Sequence, residues 1–289
     1  MDKGRLIAHA HVAVKKCKHG LMMYNVNDRF VGRSLDLYGE WCERELELLG
    51  QVTRPGYVVV DVGANIGTHT VFFGETTGRT GTVIAVEPQR LCFQMLCGNV
   101  ALNGLVNVIC LQAAAGSARG TIKVPVIDPA TSYNFGALSV EGHTAGENVR
   151  VIAIDDLALA RCNLVKIDVE GMECQVLQGA RNTIARLRPV LFVENNTIER
   201  SAEIISLIHA LHYDCWWHIA DYFSEANYFA NCDNVFAAYQ PEANLLCFPE
   251  GSKARVSGLN PVAGAEDNWR AAVGRIRAAA AAAGGGATR

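Results

Sequence analysis

The sequence predicts an α/β fold built on a doubly wound, mostly parallel sheet. Three observations carry that expectation. Residues 57–62 (YVVVDV), 164–169 (LVKIDV) and 190–194 (VLFVE) are short, nearly continuous apolar runs rich in β-branched residues, as suits strands covered on both faces. Stretches with apolar residues at helical spacing separate them, and strand–helix alternation implies βαβ units. Glycines and acidic residues cluster where strands end, which is where open α/β sheets bind ligands.

Element by element, residues 1–50 are mixed and read as a lead segment that forms a helical cap. Within it, 39–41 (GEW) opens a helical pattern over 42–49, and Pro55-Gly56 ends the segment. After the first strand come a glycine loop and a helix over about 68–76. A second strand at 82–87 is closed by Pro88. A helix with Phe93, Leu96, Val100 and Leu102 follows, then a third strand at 107–112. Residues 116–150 hold Pro125, Pro129 and several glycines, and predict a short strand pair with an excursion over the sheet. The strand at 164–169 leads into a helix over 173–187, stopped by Arg188-Pro189. The strand at 190–194 is followed by a helix over 198–211. Three late strands are expected at 215–219, 235–239 and 245–248, forming an antiparallel edge. Residues 251–289 change to Gly, Ala, Ser and Arg, ending in six alanines followed by GGGATR. They read as a flexible tail outside the core, with one helix over 265–283.

Composition narrows the classes. Half of the 289 residues are hydrophobic and 19% are charged, which supplies a core and excludes wholesale disorder. No apolar run approaches the ~18–20 residues of a membrane span. Formal charge is −3, against a broadly basic nucleic-acid coat. The first twenty residues lack a sustained apolar core and read as no secretory signal. The ten cysteines have no C-x-x-C pair and sit mostly in apolar stretches, as reduced core fillers do. These features place the chain in the cytoplasm. His9, His11, Cys17 and His19 fit no standard zinc spacing, and no metal is assigned.

The strongest site is Asp61-Val62-Gly63-Ala64-Asn65-Ile66-Gly67, between the first strand and its helix. Glycines there permit backbone conformations closed to other residues and let a ligand approach. Glu87 ends the second strand, 20 residues after Gly67, where a carboxylate can accept both hydroxyls of a ribose. A dinucleotide enzyme would call for G-x-G-x-x-G. Here only two glycines occur, four apart, and Asp61 precedes them. A carboxylate suits the ammonium of a methionine group better than a pyrophosphate, so S-adenosylmethionine (SAM) fits the charges better. A dinucleotide-dependent oxidoreductase remains the alternative from a different class.

DVGANIGTHT, AVEP, LVKIDVEGMECQVLQGA and PVLFVE together resemble the FkbM-type SAM-dependent methyltransferases. The resemblance extends over about 24–249, including Asn27-Asp28, 38–43 (YGEWCE), 216–218 (WWH) and 231–236 (NCDNVF). It implies a class I methyltransferase, Rossmann-like fold: seven strands in the order 3-2-1-4-5-7-6, strand seven antiparallel. It therefore groups 51–250 as one SAM-dependent methyltransferase domain. It implies O-methylation of a hydroxyl on a sugar or natural-product acceptor, with N-methylation of a small molecule next. The partner expected is a small molecule or glycan, neither nucleic acid nor membrane. Ala230, Cys232 and Ala237-Ala238 depart from the family pattern in the half expected to select the acceptor.

The expected cofactor contacts are Asp61, Gly63, Ala64, Asn65, Gly67, Thr68, Glu87, Pro88, Ala114 and Asp168, the alanines at 113–115 clearing a slot for adenine. Methyl transfer needs alignment of nucleophile and methyl, and an alcohol must lose its proton as it attacks. Asp168 is the first candidate for the base, then Glu170 and Glu194, with Lys166 holding Asp168 ionised. His218 is a further candidate, flanked by Trp216, Trp217 and Tyr222 as a stacking platform. His69, behind the glycine loop, reads as a solvated residue more readily than as a base.

Overall fold

A computed structural model describes residues 4–284 apart from 140 and 255. Three strands come first: β1 (Arg5–His9), β2 (Val12–Cys17) and β3 (Gly20–Asn25), an antiparallel meander. Two helices follow, α1 (Val31–Tyr38) and α2 (Glu43–Val52). The helical lead expected over residues 1–50 is therefore half right. Val12 and Val14 alternate with Ala13 and Lys15, and Cys17 pairs with Gly20 across a two-residue turn. That hairpin pattern was available in the sequence.

The central unit continues with β4 (Val58–Val62), α3 (Thr68–Thr77), β5 (Thr82–Val86), α4 (Arg90–Leu102) and β6 (Val108–Leu111). Next come β7 (Ala114–Ala115), β8 (Gly120–Val124) and β9 (Glu147–Ile152), a small sheet in the order β7-β9-β8. It contains the expected strand pair. Then follow β10 (Leu164–Ile167), α5 (Glu173–Gly179), α6 (Arg181–Leu187), β11 (Val190–Glu194), α7 (Ile198–Ala210), β12 (Tyr213–Ala220), β13 (Glu242–Pro249), β14 (Asn260–Pro261) and α8 (Trp269–Gly284).

The main sheet runs β14-β12-β13-β11-β10-β4-β5-β6. Read from the far edge, this is the expected 3-2-1-4-5-7-6 order with one added strand, β14. Strands β6, β5, β4, β10 and β11 are parallel, and β13 is antiparallel to both its neighbours. All five residues of β4 are buried, as its apolar run requires of a central strand. Apolar clusters lie on both faces. One gathers Val60, Val165, Leu191, Ile205 and Trp217, and the other Leu49, Val59, Phe73, Phe192 and Leu246.

Three further expectations differ. The single helix over 173–187 is two, broken at Ala180, where ψ is near zero. Gly179 before the break sits so close to the Gly116 carbonyl that a Cβ has no room. Residues 235–239 form turns and no strand, because Phe236 is drawn into an aromatic cluster with Phe30, Tyr222 and Tyr239. Residues beyond 250 do not stand wholly outside the core. β14 pairs with β12, and Trp269 and Ala272 are buried in the larger apolar cluster. Asp267 accepts a hydrogen bond from Trp217 Nε1 at 3.0 Å and meets Arg275.

Candidate functional site: a cavity at the carboxyl edge of the sheet

A cavity of about 460 Å³ opens where β4, β5, β10 and β11 end, a size typical of small-ligand sites. Its floor is the loop from β4 to α3. Gly63 and Ala64 N–H both donate to the Val86 carbonyl at 3.0 Å, locking the loop to β5. Gly63 has φ +77°, and a Cβ there would run into the Asp168 carbonyl oxygen. This glycine is required both by its conformation and by the close approach of β10's end. Gly63, Ala64, Asn65 and Thr68 line the cavity. Gly67 does not: at φ +90° it begins α3 and packs on Leu96.

Asp61, expected to touch the ligand, is fully buried beneath this floor. Its Oδ2 accepts from Thr70 Oγ1 at 2.6 Å, and its Oδ1 lies 3.5 Å from Lys166 Nζ with no hydrogen bond of its own. It does not line the cavity. It ties β4 to α3 and balances a buried ammonium. A strand residue at this register points into a face rather than off the strand's end, so the contact expected of Asp61 passes to its neighbours.

Glu87 lines the cavity beside Pro88 and Gln89. Its two oxygens accept from Asn65 N at 2.8 Å and Gln89 N at 2.7 Å. Burial outweighs these bonds and pushes its carboxyl up to about 7. Ala113, Ala114 and Ala115 are all buried and line the adjacent wall with Val86 and Met172. Asn65 Oδ1 is buried without a partner.

The opposite end is acidic. Lys166, Asp168, Glu170, Glu173, Glu194 and Glu242 all line it. Lys166 Nζ donates to Asp168 Oδ2 at 3.1 Å. Burial works against the Lys166 ammonium, but Asp168 and Asp61 outweigh it and keep it charged. Against the pull of burial, Lys166 in turn holds Asp168 below the ordinary carboxylate range. Glu194 and Glu170 are displaced the other way. Burial first, then the charge of Asp168, pushes both well above the usual value. Burial also raises Glu242 to about 7. Asn196 Nδ2 bridges Glu194 and Glu242 at 2.7 and 2.6 Å. Oxygens of Asp168, Glu170 and Glu194 lie within 4.8 Å of one another, a spacing that would admit a cation among the described residues. The turn after β10 sets this arrangement: Glu170 takes φ +53° and Gly171 φ +106°.

Glu242 was not foreseen. It opens β13, and because β13 runs antiparallel, its first residue reaches the edge where the parallel strands finish. The implied strand order contained that signal. Aromatic residues close the top of the cavity. Trp41 and Tyr222 stack at 5.2 Å and 26°, and Phe30 meets Tyr222 edge-on at 5.5 Å. Only Tyr222 of the expected platform takes part. Trp217 is buried on the other face, and Trp216 packs on Phe248. His218 is also outside the lining: its ring meets Phe192, and its Nδ1 is sealed without a partner. Alternation along β12 turns it beneath the sheet. Asn231 and Asn234 cap turns at Asp233 and Phe236. The excursion between β8 and β9 contributes Asn134, Gly136, Ala137 and Leu138 to the wall, held there by Gln89 Nε2 donating to the Phe135 carbonyl at 2.7 Å.

Among the described residues no helix is long and apolar enough to cross a membrane. Comparison with known proteins bears on the cavity. The hexuronic acid methyltransferase AglP of Haloferax volcanii is 30% identical over 165 residues, 56% of this chain and 64% of that protein. Methyltransferase sdnD of Sordaria araneosa is 29% identical over 154 residues, 42% of this chain and 59% of that protein. The chain thus spans less than two thirds of these relatives. A methyltransferase FkbM structure from Methylobacillus flagellatus shows 21% identity and a TM-score of 0.43, covering 70% of this chain and 50% of that one. The sequence model of the methyltransferase FkbM domain matches residues 61–228, from the glycine loop through Tyr228. This chain belongs to the FkbM methyltransferase family.

Proposed function

We propose that this chain transfers a methyl group from SAM to a hydroxyl of a small, uncharged polyol or glycan acceptor. The observation that carries the reading is the polarity of one cavity: glycine loop, Glu87 and alanines at one end, carboxylates under an aromatic roof at the other. The residues fit the cofactor. Glu87 has lone pairs left for two ribose hydroxyls, and the alanine wall leaves flat apolar space for adenine. The orphaned Asn65 Oδ1 offers an acceptor. When bound, SAM supplies an electrophilic methyl group on sulfonium.

The chain's own residues supply alignment. Gly63 and Ala64 bring backbone close to the ligand, and Asp61 holds the floor rigid from below. Asp168, kept ionised by Lys166, accepts the acceptor's hydroxyl hydrogen bond and orients it. Glu170 and Glu194, whose carboxyls burial and the charge of Asp168 push well above the usual value, face neighbouring hydroxyls. Trp41 and Tyr222 offer an apolar face for a sugar ring. Positioning of this kind contributes several kcal/mol to a displacement.

The acidic wall supports an uncharged acceptor over a uronate, since a substrate carboxylate would meet the Asp168 carboxylate at close range and would add to the charge that burial already disfavours at Glu170 and Glu194. It equally disfavours phosphodiesters. The same wall would hold an ammonium, which supports N-methylation of an amine as the second reading. Titration calorimetry with S-adenosylhomocysteine and with NAD tests the cofactor: heat with the first and none with the second is expected. Labelled SAM offered with methyl hexosides, a methyl hexuronide and an aminohexoside tests the acceptor. Preferred labelling of the hexuronide would overturn the uncharged-acceptor reading.

A further inference from the structure

His69 is the second residue of α3, and its buried ring lines the cavity. Its Nε2 lies 3.1 Å from Oε2 of Glu45 on α2. The other Glu45 oxygen accepts from Asn244 Nδ2 on β13 at 2.9 Å. Both oxygens of Glu45 are thus committed, and one ring nitrogen of His69 is tied. Nδ1 makes no hydrogen bond to a described residue and is not sealed away as His218 Nδ1 is, so it opens on the cavity.

The other titratable groups at this end are placed differently. Asp168 is stabilised as a carboxylate by Lys166. Burial, then the charge of Asp168, pushes Glu170 and Glu194 well above the usual value, and Glu242, raised to about 7, accepts from Asn196 Nδ2 at 2.6 Å. Lys166 stays charged. His69 differs: burial, then the Lys166 ammonium, lower its ring to about 4 and keep it neutral. A neutral imidazole with a carboxylate behind it is the arrangement that accepts a proton from a hydroxyl and stabilises the resulting imidazolium.

We propose that His69 is the catalytic base of the transfer and that Glu45 is its positioning residue, holding Nε2–H so that Nδ1 faces the acceptor hydroxyl. This rests on the O-methylation reading above. The hydroxyl proton passes to Nδ1 while an oxygen lone pair forms the new O–C bond. The carbon–sulfur pair stays with sulfur, which leaves as a neutral thioether, and Glu45 faces the imidazolium.

The charged and titratable groups around the pair come from every packed element. Facing His69 are Glu45 from α2, Lys166 from β10 and Asp168 just after it, Asp61 from β4, and His19 from the turn between β2 and β3. Facing Glu45 are His218 from β12, Asp168 and Lys166, with Asn244 donating from β13. Burial raises Glu45 to about 7. Its carboxylate forms as pH rises through that value, so turnover climbs there.

Two measurements on the full chain test this. Nitrogen-detected NMR of the unliganded protein at pH 8 reports the tautomer without any acceptor. The expected state carries hydrogen on Nε2 with Nδ1 bare; hydrogen on Nδ1 would overturn the assignment. Transfer from labelled SAM to the methyl hexosides then reports catalysis. His69→Gln and His69→Asn should bind S-adenosylhomocysteine as the parent does and lose about 10²-fold or more in kcat. Glu45→Gln should remove the rise near pH 7 and mix the His69 tautomers. Parent-level kcat in either His69 variant sinks the base while leaving the methyltransferase reading intact. A parent that labels no hexoside removes the acceptor reading, and the tautomer measurement still decides the dyad.

Discussion

The two ends of the cavity are built in opposite ways. At the glycine-loop end, the end proposed above to hold the nucleotide, three short segments, 63–68, 86–89 and 113–115, supply the lining, and each follows a parallel strand. At the acceptor end, Trp41, Lys166, Asp168, Glu170, Glu194, Tyr222 and Glu242 come from positions spread over two hundred residues. The first end is held by backbone hydrogen bonds, such as those from Gly63 and Ala64 to Val86. The second is held by side-chain charge, such as Lys166 between Asp61 and Asp168. A wall built on backbone tolerates little change in shape. An acceptor site built on side chains can be re-specified one residue at a time.

The most damaging way to break the nucleotide end is Gly63→Ala. A Cβ would collide with the Asp168 carbonyl, at a φ that non-glycine residues rarely adopt. S-adenosylhomocysteine binding should fall at least 100-fold in calorimetry, with a lower Tm. Asp61→Ala attacks the connection between the ends. It leaves Thr70 unbonded and Lys166 with only Asp168, so a loss of about 3–5 kcal/mol in denaturant unfolding is expected. An unchanged midpoint would show that Lys166 does not depend on Asp61.

Glu87→Gln sharpens the contrast at lower cost. It removes one of two backbone-accepting oxygens, so about 1–3 kcal/mol of S-adenosylhomocysteine affinity should be lost. Both ends respond to pH. Glu45, Glu87 and Glu242 sit near 7 in the fold, above the 4.5 of an ordinary glutamate. The folded chain therefore holds more protons than the unfolded one between those values, and stability falls as pH rises from about 5 to 7. The slope approaches about 1.4 kcal/mol per pH unit for each such group. Glu242→Gln should flatten the Tm–pH curve across that window, and a curve as steep as the parent's would show that Glu242 does not titrate there.

Part of this was legible early for a plain reason. The glycine loop, Glu87 and the KIDVEG turn are contiguous motifs at strand ends, and strands buried on both faces announce themselves as apolar runs. Glu242 was legible only once the strand order was in hand. The pairing of His69 with Glu45 was not legible, because α2 and α3 meet only after the sheet forms. Trp217 and His218 were misplaced because alternation says that neighbours part to opposite faces, not which face holds the ligand. The segment beyond 250 was misjudged from its alanines and glycines, although Trp269 inside it is buried.

By itself, then, the sequence determined the sheet, its strand order and the glycine-loop end of the cavity, since local patterning and short-range turns specify them. Tertiary structure alone decided which carboxylates converge, which are held below the ordinary carboxylate range and which are pushed above it. A carboxyl group's state depends on burial and on charges within a few ångströms, and those neighbours are remote along the chain. It also decided that Asp61 serves from beneath the floor rather than at the ligand, because its register in β4 points it at Thr70 and Lys166.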